Sequence, residues 1–242
     1  MRDLKKLFSK ENIAIITCYD ASFASFLSKT HCDALLVGDS LGILIKGQSS
    51  TLEVKMSEVL YHTESVRKGA PLMPIISDMP INSFSDKNLA LKNARLLINA
   101  GADMVKIEGE NNILEIVKHL SVNKIVVCGH IGCMPQVNQI KNLPNEDLLT
   151  KAKNLQEAGL KMLVMSMTSE SDDKIITNQL SIPTISFRSS SFCNGEVEVL
   201  YDLLGITSAF FSNNKKDTDQ IGLSTMLDNL EKFIKKIHMR KN

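Results

Sequence analysis

Asn88-Leu89-Ala90-Leu91-Lys92-Asn93-Ala94-Arg95-Leu96-Leu97-Ile98-Asn99-Ala100-Gly101-Ala102-Asp103-Met104-Val105-Lys106-Ile107-Glu108-Gly109 is the stretch that decides the fold class. Leu89, Leu91, Leu96, Leu97 and Ala100 fall largely along one face of a helix, and Gly101 follows as its C-terminal cap. Met104-Val105-Lys106-Ile107 is then a short, mostly apolar run, the pattern of a strand buried on both faces of a parallel sheet. A helix that turns tightly into such a strand is part of a βα repeat, and a carboxylate, Glu108, stands at the strand's end.

The same alternation extends in both directions. Strands are expected at Ile13–Thr17, Ala34–Val37, Pro74–Ser77, Met104–Ile107, Ile125–Cys128, Met162–Met165, Pro183–Phe187 and Ala209–Phe211. Helices are expected at Ser57–Lys68, Asn88–Ala100 and Glu146–Ala158. A last one carries Met226, Leu227, Leu230, Phe233, Ile234 and Ile237 at helical spacing. Eight βα units in 242 residues match the size of a (βα)8 barrel of the TIM type. An open doubly wound sheet would place a Gly-rich phosphate turn after the first strand. Here that turn reads Cys18-Tyr19-Asp20-Ala21-Ser22, without glycine. No linker or low-complexity tract divides the chain, so residues 1–242 are read as a single barrel domain.

With 28 basic against 27 acidic residues, the chain lacks the positive field that nucleic acid or an anionic membrane surface would need. No apolar run is long enough to cross a bilayer. Cys18, Cys32, Cys128, Cys133 and Cys193 form an odd set without a Cys-x-x-Cys pair, and no secretory leader is seen, which points to a reducing cytoplasm.

In a βα barrel the chemistry sits at the C-terminal ends of the strands. Read in order, those ends are Tyr19-Asp20, Gly38-Asp39-Ser40-Leu41-Gly42, Ser77-Asp78-Met79-Pro80, Lys106-Ile107-Glu108-Gly109 and Gly129-His130-Ile131-Gly132. Asp39, Asp78 and Glu108 would bring three hard oxygen donors to one rim, a set that suits Mg²⁺. Lys106 beside them would neutralise charge developing on an enolate oxygen. Each residue also has a plainer reading: a lone Asp after a strand is commonly a helix N-cap, Lys106 could snorkel to the surface, and His130 could be a hydrogen-bonded loop histidine. Recurrence of acids at successive strand ends favours the metal site. His62, His119 and His238 lie in helical segments and are read as structural.

The ordered motifs resemble those of the ketopantoate hydroxymethyltransferase family. They are Ile16-Thr17-Cys18-Tyr19-Asp20, Val37-Gly38-Asp39-Ser40-Leu41-Gly42, Ser50-Thr51-Leu52, Tyr61-His62-Thr63, Val66-Arg67-Lys68-Gly69-Ala70-Pro71, Asp78-Met79-Pro80, Gly101 through Gly109 and Cys128-Gly129-His130-Ile131-Gly132. The match runs from Ile16 to Gly132 and weakens beyond. The resemblance implies a (βα)8 barrel, assembled as a homo-oligomer (a decamer). Its expected reaction, in pantothenate biosynthesis, transfers a one-carbon unit from 5,10-methylenetetrahydrofolate to the Mg²⁺-bound enolate of 3-methyl-2-oxobutanoate. Asp39, Asp78 and Glu108 match the family's metal positions. Asp39, Ser40, Asp78 and Lys106 match its oxo-acid positions, Lys106 with a catalytic role.

Departures cluster later in the chain. The family's general-base glutamate follows the sixth strand, where this sequence has Leu163-Val164-Met165-Ser166, so Ser166 stands at the glutamate position. Either Glu170, a few residues on, or a metal-bound hydroxide would then replace the base. The seventh strand opens into Ser186-Phe187-Arg188-Ser189-Ser190 in place of a Gly-rich turn, and the loop from Pro135 to Pro144 is short. Two alternatives therefore accompany the hydroxymethyltransferase: a non-catalytic homologue that binds an oxo acid or a partner subunit, and another Mg²⁺-dependent oxo-acid lyase or transferase on the same barrel.

Overall fold

A computed structural model describes residues 4–109, 113–133 and 148–207. Its centre is a closed barrel of eight parallel strands in sequential order: β1 (Ile13–Thr17), β2 (Ala34–Val37), β3 (Ile75–Asp78), β4 (Met104–Glu108), β5 (Val127–Gly132), β6 (Met162–Ser166), β7 (Thr184–Phe187) and β8 (Gly195–Glu198). The helices are α1 (Leu4–Phe8), α2 (Ala21–Leu27), α3 (Leu41–Leu44), α4 (Met56–Gly69), α5 (Lys87–Ala100), α6 (Ile113–Val122), α7 (Leu148–Glu157), α8 (Glu170–Gln179) and α9 (Leu200–Leu203). By chain contacts the molecule divides into two compact units, Met1–Val197 and Glu198–Asn242. The described part of the second contains α9, and the first contains the barrel up to Val197.

Strands β2 to β6 are buried at every position, as parallel strands covered by helices must be. The interior is filled by Ile13, Ile15, Ala34, Leu36, Ile76, Met104, Cys128, Met162, Val164, Ile185 and Val197. Side chains alternate along a strand, so Asp78, Lys106, Glu108, His130 and Ser166, each two or four residues beyond one of these, share the inward parity. Register then places them side by side: Asp78 opposes Lys106, Glu108 opposes His130, and Gly132 opposes Ser166.

Helix α5 shows how local chemistry sets the repeat. Asp86 caps its N-terminus by accepting from the Asn88 and Leu89 N–H groups, and Gly101 ends it in the left-handed region at φ 116°. Its buried face is Ala90, Asn93, Ala94 and Leu97, whereas Leu96 is exposed. Small residues let the helix lie close to the sheet, so the buried face is displaced by about a fifth of a turn from the leucine stripe expected from spacing.

The eighth strand is a correction. Ala209–Phe211 lies outside the described residues, and the barrel's eighth position is filled by Gly195–Glu198. The chain passes from β7 to β8 through residues 188–194 without a helix, shorter than a usual parallel crossover. Asn194 holds this return: its Oδ1 accepts from Thr184 N and Oγ1 at 3.0 and 3.2 Å, and its carbonyl accepts from Ile13 N at 2.8 Å. Glycine is required next, because a Cβ at Gly195 would lie 2.3 Å from the Ile13 carbonyl oxygen. The expected last helix lies outside the described residues. All five cysteines are free, and among the described residues no helix is long and apolar enough to cross a membrane.

Candidate active site

The inward positions at the C-terminal ends of β3, β4 and β5 form one buried polar group. The Lys106 ammonium donates to Asp78 Oδ1 at 2.9 Å and stands 4.0 Å from Glu108 Oε2. Asp78 turns its other oxygen, Oδ2, to the Asp39 backbone N–H at 3.0 Å, which joins the ends of β2 and β3. Glu108 Oε2 pairs with His130 Nδ1, while His130 Nε2 is buried without a hydrogen-bond partner among the described residues. Asp39, Asp78, Lys106, Glu108 and His130 are all less than 9% exposed.

Burial alone would push the Lys106 ammonium down, but Asp78, Glu108 and Asp39 outweigh it and hold the group above the ordinary lysine range. Lys106 is therefore a fixed positive charge inside the barrel, not a snorkelling surface residue. The N-cap explanation for the two aspartates also fails. Helix α3 is capped at Ser40 without a side-chain bond, and the helix after β3 is capped at Asp86. Asp20 does cap α2, accepting from Ser22 and Phe23 N–H. Among the described residues no three His, Cys, Asp or Glu side chains are grouped to hold a metal ion by themselves.

A second layer steadies β1 and β2. Tyr19, fully buried, shares a 2.8 Å hydrogen bond with Ser40 Oγ, and burial pushes its phenol above the usual range. His62 on α4 reaches the Tyr19 carbonyl with Nδ1 at 2.6 Å, a structural role. The buried thiol of Cys128, one layer below the polar group, is pushed up to about 12 by desolvation.

The opposite side of the rim has another chemistry. Ser166 is 2% exposed at the end of β6, and its carbonyl accepts from Cys133 N at 2.8 Å. Beyond it, Met167 at φ 52° and, after β7, Arg188 at φ 53° occupy the left-handed region. The two turns are tied together through Asp173 of α8, which is fully buried. It accepts from Thr168 Oγ1 at 2.5 Å, Ser190 N at 2.9 Å and Ser190 Oγ at 2.7 Å. Ser189 Oγ completes the link, accepting from Thr168 N at 3.0 Å and sharing a 2.9 Å bond with Thr168 Oγ1. Glu170 is exposed in the first turn of α8 and stands outside both buried groups. Sequence reasoning missed Asp173, since within Glu170-Ser171-Asp172-Asp173 nothing marks one acid as the buried one.

Known proteins now place this geometry. The sequence profile described as ketopantoate hydroxymethyltransferase matches residues 1–241. The chain belongs to that family. The family match therefore extends through the later half, beyond the motifs that end at Gly132. A 3-methyl-2-oxobutanoate hydroxymethyltransferase of Buchnera aphidicola is 41% identical over 226 residues, covering 88% of this chain and 86% of that protein. One from Nitrosomonas europaea is 44% identical over 225 residues, covering 87% and 84%. Among solved structures, a phosphonopyruvate hydrolase superposes with a TM-score of 0.71 at 10% identity, covering 86% of this chain and 84% of that one. At that identity the likeness concerns the fold alone. The family's relatives favour neither the lyase nor the non-catalytic alternative.

Proposed function

We propose that this chain is a 3-methyl-2-oxobutanoate hydroxymethyltransferase, which enolises its oxo acid over the Asp39–Asp78–Lys106 group and accepts a one-carbon unit from 5,10-methylenetetrahydrofolate. The observation that carries the proposal is the Lys106 ammonium, buried in the barrel mouth and held 2.9 Å from Asp78. A permanent cation in a desolvated site is suited to a negative charge that appears only as the keto oxygen becomes an enolate oxygen. Ser40, fixed by Tyr19, supplies a hydroxyl to orient the acid's carboxylate.

The residues also fit Mg²⁺. Three carboxylates face one ammonium and one imidazole, so the group stays negative even with His130 protonated, and buried excess charge calls for a counter-ion. Asp39 and Asp78 would hold the ion directly. Glu108, engaged with His130, would act from further back, and water or substrate oxygens would complete the shell, as Mg²⁺ commonly requires. When bound, Mg²⁺ would supply Lewis acidity that loosens the C–H bond next to the keto group.

Ser166 occupies the position matched to the family's glutamate, and a serine hydroxyl is a poor proton acceptor at neutral pH. Enolisation is therefore slow in this chain. The proposal extends to one domain over residues 1–242, a cytoplasmic location and a homo-oligomer. Deuterium exchange at C3 of 3-methyl-2-oxobutanoate, followed by NMR in D₂O with Mg²⁺ and no folate, tests the chemistry. Exchange is expected from the unaltered chain, lost in Asp78→Ala, and raised at least about tenfold in Ser166→Glu. Tight oxo-acid binding without exchange would remove the enzyme assignment.

A further inference from the structure

We propose that Arg67, at the base of the barrel, is a positioning residue for the Asp78–Lys106 pair at its mouth; the effect on catalysis rests on the hydroxymethyltransferase reading. Arg67 lies in the last turn of α4, with its side chain 14% exposed. Its guanidinium ties two loops together. Nε donates to the Gly101 carbonyl at 2.8 Å, and Nη1 donates to the carbonyls of Ala70, Pro71 and Met73 at 2.9, 3.2 and 2.8 Å. Nη2 donates to Asp103 Oδ2 at 2.6 Å. Residues 70–74 lead from α4 into β3, and residues 101–103 lead from α5 into β4. Pro71 and Pro74 lack an N–H, so the first loop has fewer donors of its own and its carbonyls turn to the arginine. Gly101 leaves the room, since a Cβ there would fall 2.6 Å from Arg67 Cγ.

The carboxylate that Arg67 holds also sets the start of both strands. Asp103 Oδ2 accepts from Ile75 N at 2.9 Å, and Asp103 N donates to the Ile75 carbonyl at 2.8 Å. Ile75 and Asp103 are thereby fixed side by side. Asp78 and Lys106 each stand three residues further on, again side by side. At roughly 3.3 Å per residue, the clamp lies about 10 Å along the strands from the charged pair. A one-residue slip of β3 on β4 would turn Asp78 out of the barrel. A misplacement of only about 1 Å at a reacting group can cost about 100-fold in rate. The base of a barrel ordinarily serves stability, but here it clamps the two strands that carry the charged pair. The fork of the side chain matters, not its charge alone, because a lysine ammonium is a point donor that cannot span both loops and the carboxylate at once.

Arg67→Lys keeps the charge without the fork, and two readouts separate positioning from plain loss of stability. Asp173→Ala, altered on α8 away from β3 and β4, is the control. In Arg67→Lys, C3 exchange at saturating oxo acid should fall at least about tenfold. In ligand-free protein carrying nitrogen-15 lysine, the Lys106 ammonium resonance is identified by its absence in Lys106→Met. It should move by more than its linewidth in Arg67→Lys and stay in place in Asp173→Ala. An unmoved resonance in the folded variant, or the same movement in Asp173→Ala, would overturn the positioning role. Should Arg67→Lys not fold, Asp103→Asn is judged by the same criteria, since it removes the ion pair and keeps an acceptor for Ile75 N. If the resonance moves but the unaltered chain does not exchange C3, the positioning role stands and the enzyme assignment falls. If the unaltered chain exchanges C3 and the variant loses less than tenfold, the enzyme assignment stands and the positioning role falls.

Discussion

The two sides of the barrel mouth are held together by different means. From β2 to β5 the side chains are charged, point inward from regular strand ends, and satisfy one another in pairs: Lys106 with Asp78, His130 with Glu108. After β6 and β7 they are hydroxyls that converge on one buried carboxylate, Asp173, and the backbone bears two non-glycine residues at positive φ. The first side concentrates charge where a substrate oxygen would develop it. The second commits its polar groups to its own loops. Chemistry and loop architecture are thus divided across one rim, and the division can be tested by asking which side a substitution disturbs.

The largest effect is expected from Lys106→Met. It leaves Asp78, Glu108 and Asp39 without their buried counter-charge, so C3 exchange should fall by at least about 100-fold and stability by about 3 kcal/mol. Because the folded Lys106 titrates above its unfolded value, its stabilisation is complete below about pH 10.4 and disappears only as pH rises through the raised value. Urea unfolding at pH 7 and 9 should therefore show the same difference between variant and parent, and a difference shrinking between those pH values would refute the assignment.

Asp173→Ala comes next. It strands the Thr168 and Ser190 hydroxyls, and a loss of about 3 kcal/mol is expected, with faster amide exchange in residues 166–173 and 186–192. Its C3 exchange should fall less than tenfold. If it falls as far as in Lys106→Met, the two sides are one catalytic unit and the division is wrong. The smallest effect is that of Met167→Gly. Relief of a left-handed conformation outweighs the entropy of the new glycine, giving roughly 0.5 kcal/mol of added stability by thermal unfolding. Destabilisation would show that this exposed turn carries no strain.

The barrel itself was readable because its causes are local. Continuous apolar runs, helical spacing and caps such as Gly101 each depend on neighbours within one repeat, and seven of the eight strands overlap the segments these signals mark, although β5 begins at Val127 instead of Ile125 and runs on to Gly132. The eighth was not readable, because Gly195–Glu198 is short, alternates in exposure and follows β7 without a helix. Its pairing depends on the close approach of Gly195 to Ile13, far away in the chain. The same limit applies to the site. Asp39, Asp78, Lys106, Glu108 and His130 announce themselves by sitting at strand ends. Asp173 does not, since one of several acids in an ordinary helical stretch becomes special only when two distant turns close over it.

By itself, the sequence determined a parallel βα barrel, the set of acids and the lysine at its mouth, and a serine, not an acid, at the end of the sixth strand. These follow from residue type and spacing, which act over one turn or one strand. Only the tertiary structure decided that Lys106 is a buried counter-charge and that the two aspartates are not helix caps. Those properties arise from desolvation and from contacts between segments far apart in the chain, which spacing along the sequence does not encode.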